Sequence, residues 1–227
     1  MFKMNAGILV KGLFAVVGLQ LLCSCAGSYI TPNFSRPGFS LDEFKAAKSI
    51  LVVSDKAQVL GFRKSFANAY GSGASLSSRL SQMLADSLNA SGISVSAGST
   101  RLSAMLDSAS LDTAVKVDSL FQSLNAKYVI HVGNILIGSS TTYTTGVLAP
   151  SGPGGSMAMT GGGSSTNCTI SYDVDIWNVD GKSPVSSFKT KASSSVFLFF
   201  YQTALENTVW KSIRHVVGYL GKSQPKS

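Results

Sequence analysis

Cys168-Thr169-Ile170-Ser171-Tyr172-Asp173-Val174-Asp175-Ile176-Trp177 carries the clearest pattern in the chain. Cys168, Ile170, Tyr172, Val174 and Ile176 alternate with Thr169, Ser171, Asp173, Asp175 and Trp177, so one face is apolar and the other largely polar. A period of two predicts a half-buried β-strand whose apolar side must be covered. The next segment, Val185 to Ala192, can return beside it as a hairpin. With an odd-length turn around Asp180-Gly181, Asp175 faces Lys189, Asp173 faces Lys191, Val179 faces Val185 and Ile176 faces Phe188. Opposite charges paired across strands contribute about 0.2 to 1 kcal/mol each, enough to favour a register.

Working outward, the cover for that face comes from helical stripes. Leu205, Val209, Ile213, Val216, Val217 and Leu220 recur at helical spacing before Gly221, which is placed to end the helix. Leu76, Leu80, Met83, Leu84 and Leu88 make a second stripe, with Ser75 as its expected N-cap and Gly92 as its stop. The region from Thr100 to Ala126 reads as helix interrupted near Ser108-Ala109-Ser110. Ser49 to Ser54 (SILVVS) is a buried-strand pattern, Ile93 to Ala97 a short strand, and Lys127 to Ile137 (KYVIHVGNILI) a strand with Gly133 as a bulge position. These elements predict an α+β domain over residues 49–221, with a single mixed or antiparallel sheet of about five strands on two to three helices. Residues 138–166, rich in Gly, Ser and Thr, read as an insertion that is mostly mobile, and residues 222–227 as a loose polar tail.

The amino terminus decides location. Lys3 and Lys11 supply positive charge, Gly12 to Leu22 an apolar core too short to span a bilayer, and Leu22-Cys23-Ser24-Cys25 fits a lipobox, with an aliphatic residue three before Cys25 and a small one just before it. Residues 1–24 are the expected lipoprotein signal peptide, and Cys25 is the expected first mature residue, carrying a diacylglycerol and further acyl chains that together anchor it. Residues 25–48 then read as lipid anchor and tether, since Ala26 to Asp42 holds prolines, glycines and serines without a period.

Without residues 1–24 the chain keeps 17 Lys and Arg against 11 Asp and Glu, having lost only Lys3 and Lys11. These cations are scattered, with no basic stripe interleaved with aromatics, so no nucleic-acid partner is expected. Cys168 has no intrachain partner once Cys23 is removed and Cys25 lipidated, and it lies in phase with the apolar strand face, as a small buried hydrophobe does. His131 and His215 are the only histidines, without ligand spacing, so no metal and no cofactor are expected. Asp173 and Asp175 point the same way as a catalytic carboxylate pair would, but the lysines expected opposite give them a structural role. The glycine tract 152–163 lacks the Gly-Lys-Ser/Thr ending of a phosphate loop.

Ser49 to Ser54, then Leu80, Leu84, Leu88 and Gly92, then Ala126-Lys127-Tyr128-Val129-Ile130 with Gly133-Asn134-Ile135, resemble in order the opening strand, first long helix and third strand of envelope lipoproteins that share the domain found at the amino terminus of TolB. That group includes curli-secretion channel, penicillin-binding-protein activator and exopolysaccharide-export ring lipoproteins. The opening strand here lacks the group's proline-phenylalanine ending, and Val132 lengthens the third strand by one residue. The resemblance implies a non-catalytic protein that binds or assembles with other envelope components. The expected function is a lipid-anchored binding, assembly or regulatory factor at the periplasmic face of the outer membrane, whose partner is another envelope protein or a second copy. The expected contacts are Trp177 on the polar strand face and the aromatic run at Phe197, Phe199, Phe200 and Tyr201. The alternatives are a subunit of an oligomeric ring or pore in outer-membrane export and, third, an envelope hydrolase.

Overall fold

A computed structural model describes residues 27–98, 125–144, 147–150, 157–160, 163–196 and 200–221, with side chains omitted at 142, 144, 147–150, 157–160 and 163. In chain order the elements are β1 (Tyr29–Ser35), α1 (Leu41–Ala46), β2 (Ile50–Ser54), β3 (Gln58–Val59), α2 (Arg63–Tyr70), α3 (Gly73–Ala90), β4 (Val95–Ala97), β5 (Tyr128–Thr144), β6 (Val147–Pro150), β7 (Met157–Thr160), β8 (Gly163–Asn178), β9 (Ser183–Ser195) and α4 (Tyr201–Gly221). The fold is α+β. Its mixed sheet has seven strands in the order β1-β9-β8-β5-β2-β4, with β3 continuing beside β5 past the end of β2. β4, β2, β3 and β5 run parallel to their neighbours and β5, β8, β9 and β1 antiparallel.

One sheet face is covered by α3 over β2 and β4 and by α4 over β8 and β9, the two helices touching each other. Ile50, Val52, Ile130, Val132, Ile170, Tyr172, Val174, Ile176 and Phe188 meet Leu76, Leu80, Leu84, Leu88, Val209, Ile213 and Val216 in one buried cluster. Each large aliphatic side chain buried this fully stabilises by about 1.5 to 3 kcal/mol. Both helical stripes therefore work as the sequence pattern requires. The helices also bury hydroxyls, and each finds a partner: Ser81 Oγ meets Ser54 Oγ at 2.7 Å, Ser212 Oγ donates to the Val209 carbonyl and Thr208 Oγ1 to the Ala204 carbonyl. A chain poor in charge but rich in Ser and Thr can thus pack helices closely without orphaned polar atoms at these positions.

The N-cap of α3 is Ser72, not Ser75: Ser72 Oγ accepts from the Ser75 N–H at 3.1 Å, and the two hydroxyls bond each other. Gly73 and Ala74 are small enough to enter the first turn, so the cap moves to the serine before them. At the other end Gly92 takes φ +87°, and the Ile93 N–H returns to the Leu88 carbonyl. Asn89 then brackets Val95 with two hydrogen bonds, at 2.8 and 2.9 Å, which aligns β4 with β2.

The sheet, with seven strands, is larger than the expected five or so, and four described helices stand where two to three were expected; three further sequence expectations are corrected. Residues 25–48 are not a tether throughout, because Tyr29–Ser35 pairs antiparallel with β9 as an edge strand and Leu41–Ala46 is a helix capped by Ser40. An edge strand needs only one side of its backbone paired, so Pro32 is tolerated next to the bulge between Pro32 and Phe34, and a proline-bearing segment can still be sheet. Residues 138–166 are not all loop, since β5 runs on to Thr144 and β8 starts at Gly163. Threonine and tyrosine suit a strand backbone even where no apolar alternation advertises one.

The third correction is the hairpin. Its turn holds four residues, Val179 to Lys182, with Lys182 at φ 47° and the Gly181 N–H held by Asn178 Oδ1. A bulge at Val185 restores which face each residue occupies, but the register slips by two: Asp173 stands opposite Lys189, Asp175 opposite Ser187, Val174 opposite Phe188 and Ile176 opposite Ser186. The shift of two keeps Phe188 buried on the apolar face, now beside Val174, and still sets one opposite-charge pair, Asp173 against Lys189. The interrupted helix expected over 100–126 lies outside the described residues up to 124, as do the signal peptide and the tail.

Candidate functional site

The sheet face opposite α3 and α4 carries a polar cluster built by three strands. Asp55 follows β2, and its N–H extends the pairing by bonding the Val132 carbonyl. His131 in β5 stands beside Val53 on one side and Asp175 of β8 on the other. His131 Nε2 lies 2.8 Å from Asp55 Oδ1, and Nδ1 lies 3.9 Å from Asp175 Oδ2. An ionised carboxylate only accepts, so Nε2 is the donor to Asp55. Gly133 leaves room for the pair: a Cβ there would lie 3.1 Å from Asp55 Oδ2 and 3.3 Å from His131 Cε1.

The expected bulge in β5 falls between Gly133 and Leu136, where Asn134 takes φ 52°. This directs the Asn134 amide to Asp173, whose Oδ2 accepts from Nδ2 at 2.9 Å. The two aspartates are therefore engaged by Asn134 and His131, and neither forms the expected lysine ion pair. Asp55 was the residue that sequence reasoning missed. It sits one position past an apolar strand, and only the parallel pairing of β2 with β5 brings it to His131.

Cys168 is fully buried on the opposite, helix-facing side, and desolvation pushes its thiol up from 9.0 to about 12. It is far from thiolate at neutral pH. Among the described residues, no three His, Cys, Asp or Glu side chains are grouped to hold a metal ion, and no helix is long and apolar enough to cross a membrane.

The expected contact residues do not form one patch. Trp177 is half-buried on the sheet face opposite α3 and α4, across from Val129 and Pro184. Tyr201 opens α4 and packs on Phe62, ring centroids 4.8 Å apart, while Phe200 is 60% exposed. Phe197, Phe199 and Cys25 lie outside the described residues.

A second feature is the long β5–β8 pair. β3 leaves the flank of β5 at Ile137, and β9 leaves that of β8 at Asn167, where it pairs with Ser195. Among the described residues, the last neighbouring bond is from the Val196 N–H to the Thr166 carbonyl. β5 and β8 continue as a two-stranded ribbon through Thr142↔Ser165, Tyr143↔Ser164 and Thr144↔Gly163. Tyr143 is 78% exposed there. β6 and β7 pair Val147↔Thr160 through Pro150↔Met157, in the register that Thr144 and Gly163 leave off.

No protein-family model matches the chain, and no curated protein matches it. Among solved structures it is similar to PelC from Paraburkholderia phytofirmans, solved as a dodecamer, at 12% identity over 88% of this chain and 100% of that one, with a TM-score of 0.42. It is also similar to protein CT253 from Chlamydia trachomatis, at 15% identity over 77% and 98% with a TM-score of 0.42, and to lipoprotein GNA1162 from Neisseria meningitidis, at 13% identity over 73% and 97% with a TM-score of 0.33.

Proposed function

We propose that this chain is a lipid-anchored protein of the bacterial envelope that acts by binding and assembly rather than catalysis. Cys25 holds it at the periplasmic face of the outer membrane, and its contact with another envelope protein or a second copy runs through the β5–β8 ribbon. The observation that carries this reading is the ribbon itself, which outruns β3 and β9 and, among the described residues, has no strand paired to either of its outer edges. Unpaired N–H and C=O groups along a strand are a template for strand addition, and native domains usually cover or blunt them. The engagement of His131 by Asp55 supports a polar cluster that shapes the sheet face, and the burial of Cys168 in the core on the other face supports a structural role for the thiol.

Ribbon-to-edge pairing is head-to-tail, so it also accommodates the ring reading, in which each copy adds its ribbon to the next until the rotation closes. The test is the mass of the detergent-extracted protein by light scattering, beside a variant in which an Asn-Gly turn joins Thr142 to Ser165 and a Cys25→Ser control. Binding through the ribbon predicts that the shortened hairpin loses the self-assembly or the partner that the full chain retains. A closed multiple of the chain mass selects the ring. Unchanged assembly without the ribbon would sink the proposal.

A further inference from the structure

The groove between β1 and α4 lies where the chain enters the domain. Its volume is about 470 Å³, and Ser28, Tyr29, Ile30, Arg214, His215, Gly218 and Tyr219 line it. Among the described residues Arg214 makes no ion pair or hydrogen bond, so its charge is uncommitted. Gly218 widens the wall: a Cβ there would meet nothing within 4 Å. One helical turn before Arg214, and on the same stripe, Trp210 is 46% exposed, and across the groove Tyr29 is 51% exposed. Two exposed aromatic rings with polar edges flanking a free guanidinium is the composition that settles at a bilayer's headgroup layer. Ser28 is three residues from Cys25, which at full extension is about 10 Å of chain.

We propose that this groove receives the headgroup of an anionic phospholipid from the membrane that holds the anchor, Arg214 meeting the phosphate and Trp210 and Tyr29 entering the interfacial layer. The orientation rests on the anchoring of Cys25 proposed above. The bound lipid would fix how the domain stands on the membrane, and with it the direction in which the β5–β8 ribbon points. Loose tethering by acyl chains alone would leave that direction free.

The full chain is reconstituted into phosphatidylethanolamine vesicles containing either phosphatidylglycerol or phosphatidylcholine brominated on the acyl chains, and tryptophan fluorescence is read. Brominated phosphatidylglycerol should quench more than brominated phosphatidylcholine, and the excess should vanish in Trp210→Phe. Arg214→Gln should reduce it about fivefold, the effect of one basic side chain at an anionic surface. Gly218→Phe, which fills the groove without changing charge, should abolish it, and Lys64→Gln, on the exposed face of α2, should leave it unchanged. Equal quenching by the two lipids, or equal loss in Lys64→Gln and Arg214→Gln, overturns the groove in favour of diffuse charge. Flotation reads the anchor separately. A chain floating with both vesicle types is anchored; one floating with phosphatidylglycerol vesicles alone refutes the anchor and keeps the groove; one floating with neither refutes both.

Discussion

Gly73 and Ser77 hold the junction between the strand layer and α3, and each does so through an atom it has or lacks. A Cβ on Gly73 would lie 2.2 Å from the Ala57 carbonyl oxygen, which is backbone and cannot swing aside. Ser77 Oγ takes the Ala57 N–H at 3.0 Å, and its single proton is shared between the Asp55 and Gly73 carbonyls. Gly73→Ala should destabilise by about 1 to 3 kcal/mol through overpacking, and Ser77→Ala by about 1 to 3 kcal/mol through stranded backbone groups. Urea midpoints measure both; a change below about 0.5 kcal/mol in either would mean that the junction relaxes freely. Nothing in the sequence marks these two residues, since a glycine and a serine at a helix start read as punctuation. Their importance arises from Asp55 to Ala57 crossing over that helix end, a tertiary event. The same holds for the Asp173 and Asp175 pairing, because the four-residue turn and the bulge at Val185 that set the register leave no mark on the alternation of the strands.

At the scale of elements, what was legible had strong periodicity. β2, the body of β8, α3 and α4 stand where alternation and stripe place them, because each buries one continuous apolar face. β1 was not legible: its proline, asparagine and serine resemble a linker, and its partner β9 lies more than 150 residues away. The strand character of residues 138–144 was hidden for a related reason, since a ribbon with no core to face has no apolar alternation to show. If β1 is structural, Ile30→Asp should cost about 1 to 2 kcal/mol in a urea titration, because Ile30 packs against the core. In a tether the same change would be neutral, and Gly27→Asp, just outside the strand, supplies that reference. Amide exchange gives a second reading: the N–H groups of β1 bonded to β9 should exchange more slowly than those of residues 27 and 28.

The whole molecule is built with few charges, 19 basic and 11 acidic residues in 227, so its pH response falls to a small number of buried groups. Burial raises Cys168 from 9.0 to about 12 and Tyr70 from 10.0 to about 12, and it also raises Tyr172. All three are neutral when protonated, so desolvation favours the protonated form in the folded state. The unfolded chain releases these protons near the ordinary values while the native state keeps them, so above those values it binds fewer protons than the native state. Stability then falls as pH rises. The contribution is complete below 9.0, where both states hold their protons, begins to drain from Cys168 first, and drains further once the tyrosines join at 10.0. Urea midpoints taken from neutral pH upward should therefore be flat and then decline with increasing slope. Cys168→Ala should remove the earliest part of the decline and leave the tyrosine part, whatever it does to the neutral-pH midpoint by opening a small cavity. A decline that starts at the same pH with and without Cys168 would place the ionisation elsewhere and show that the helix-facing core is wetter than its burial implies.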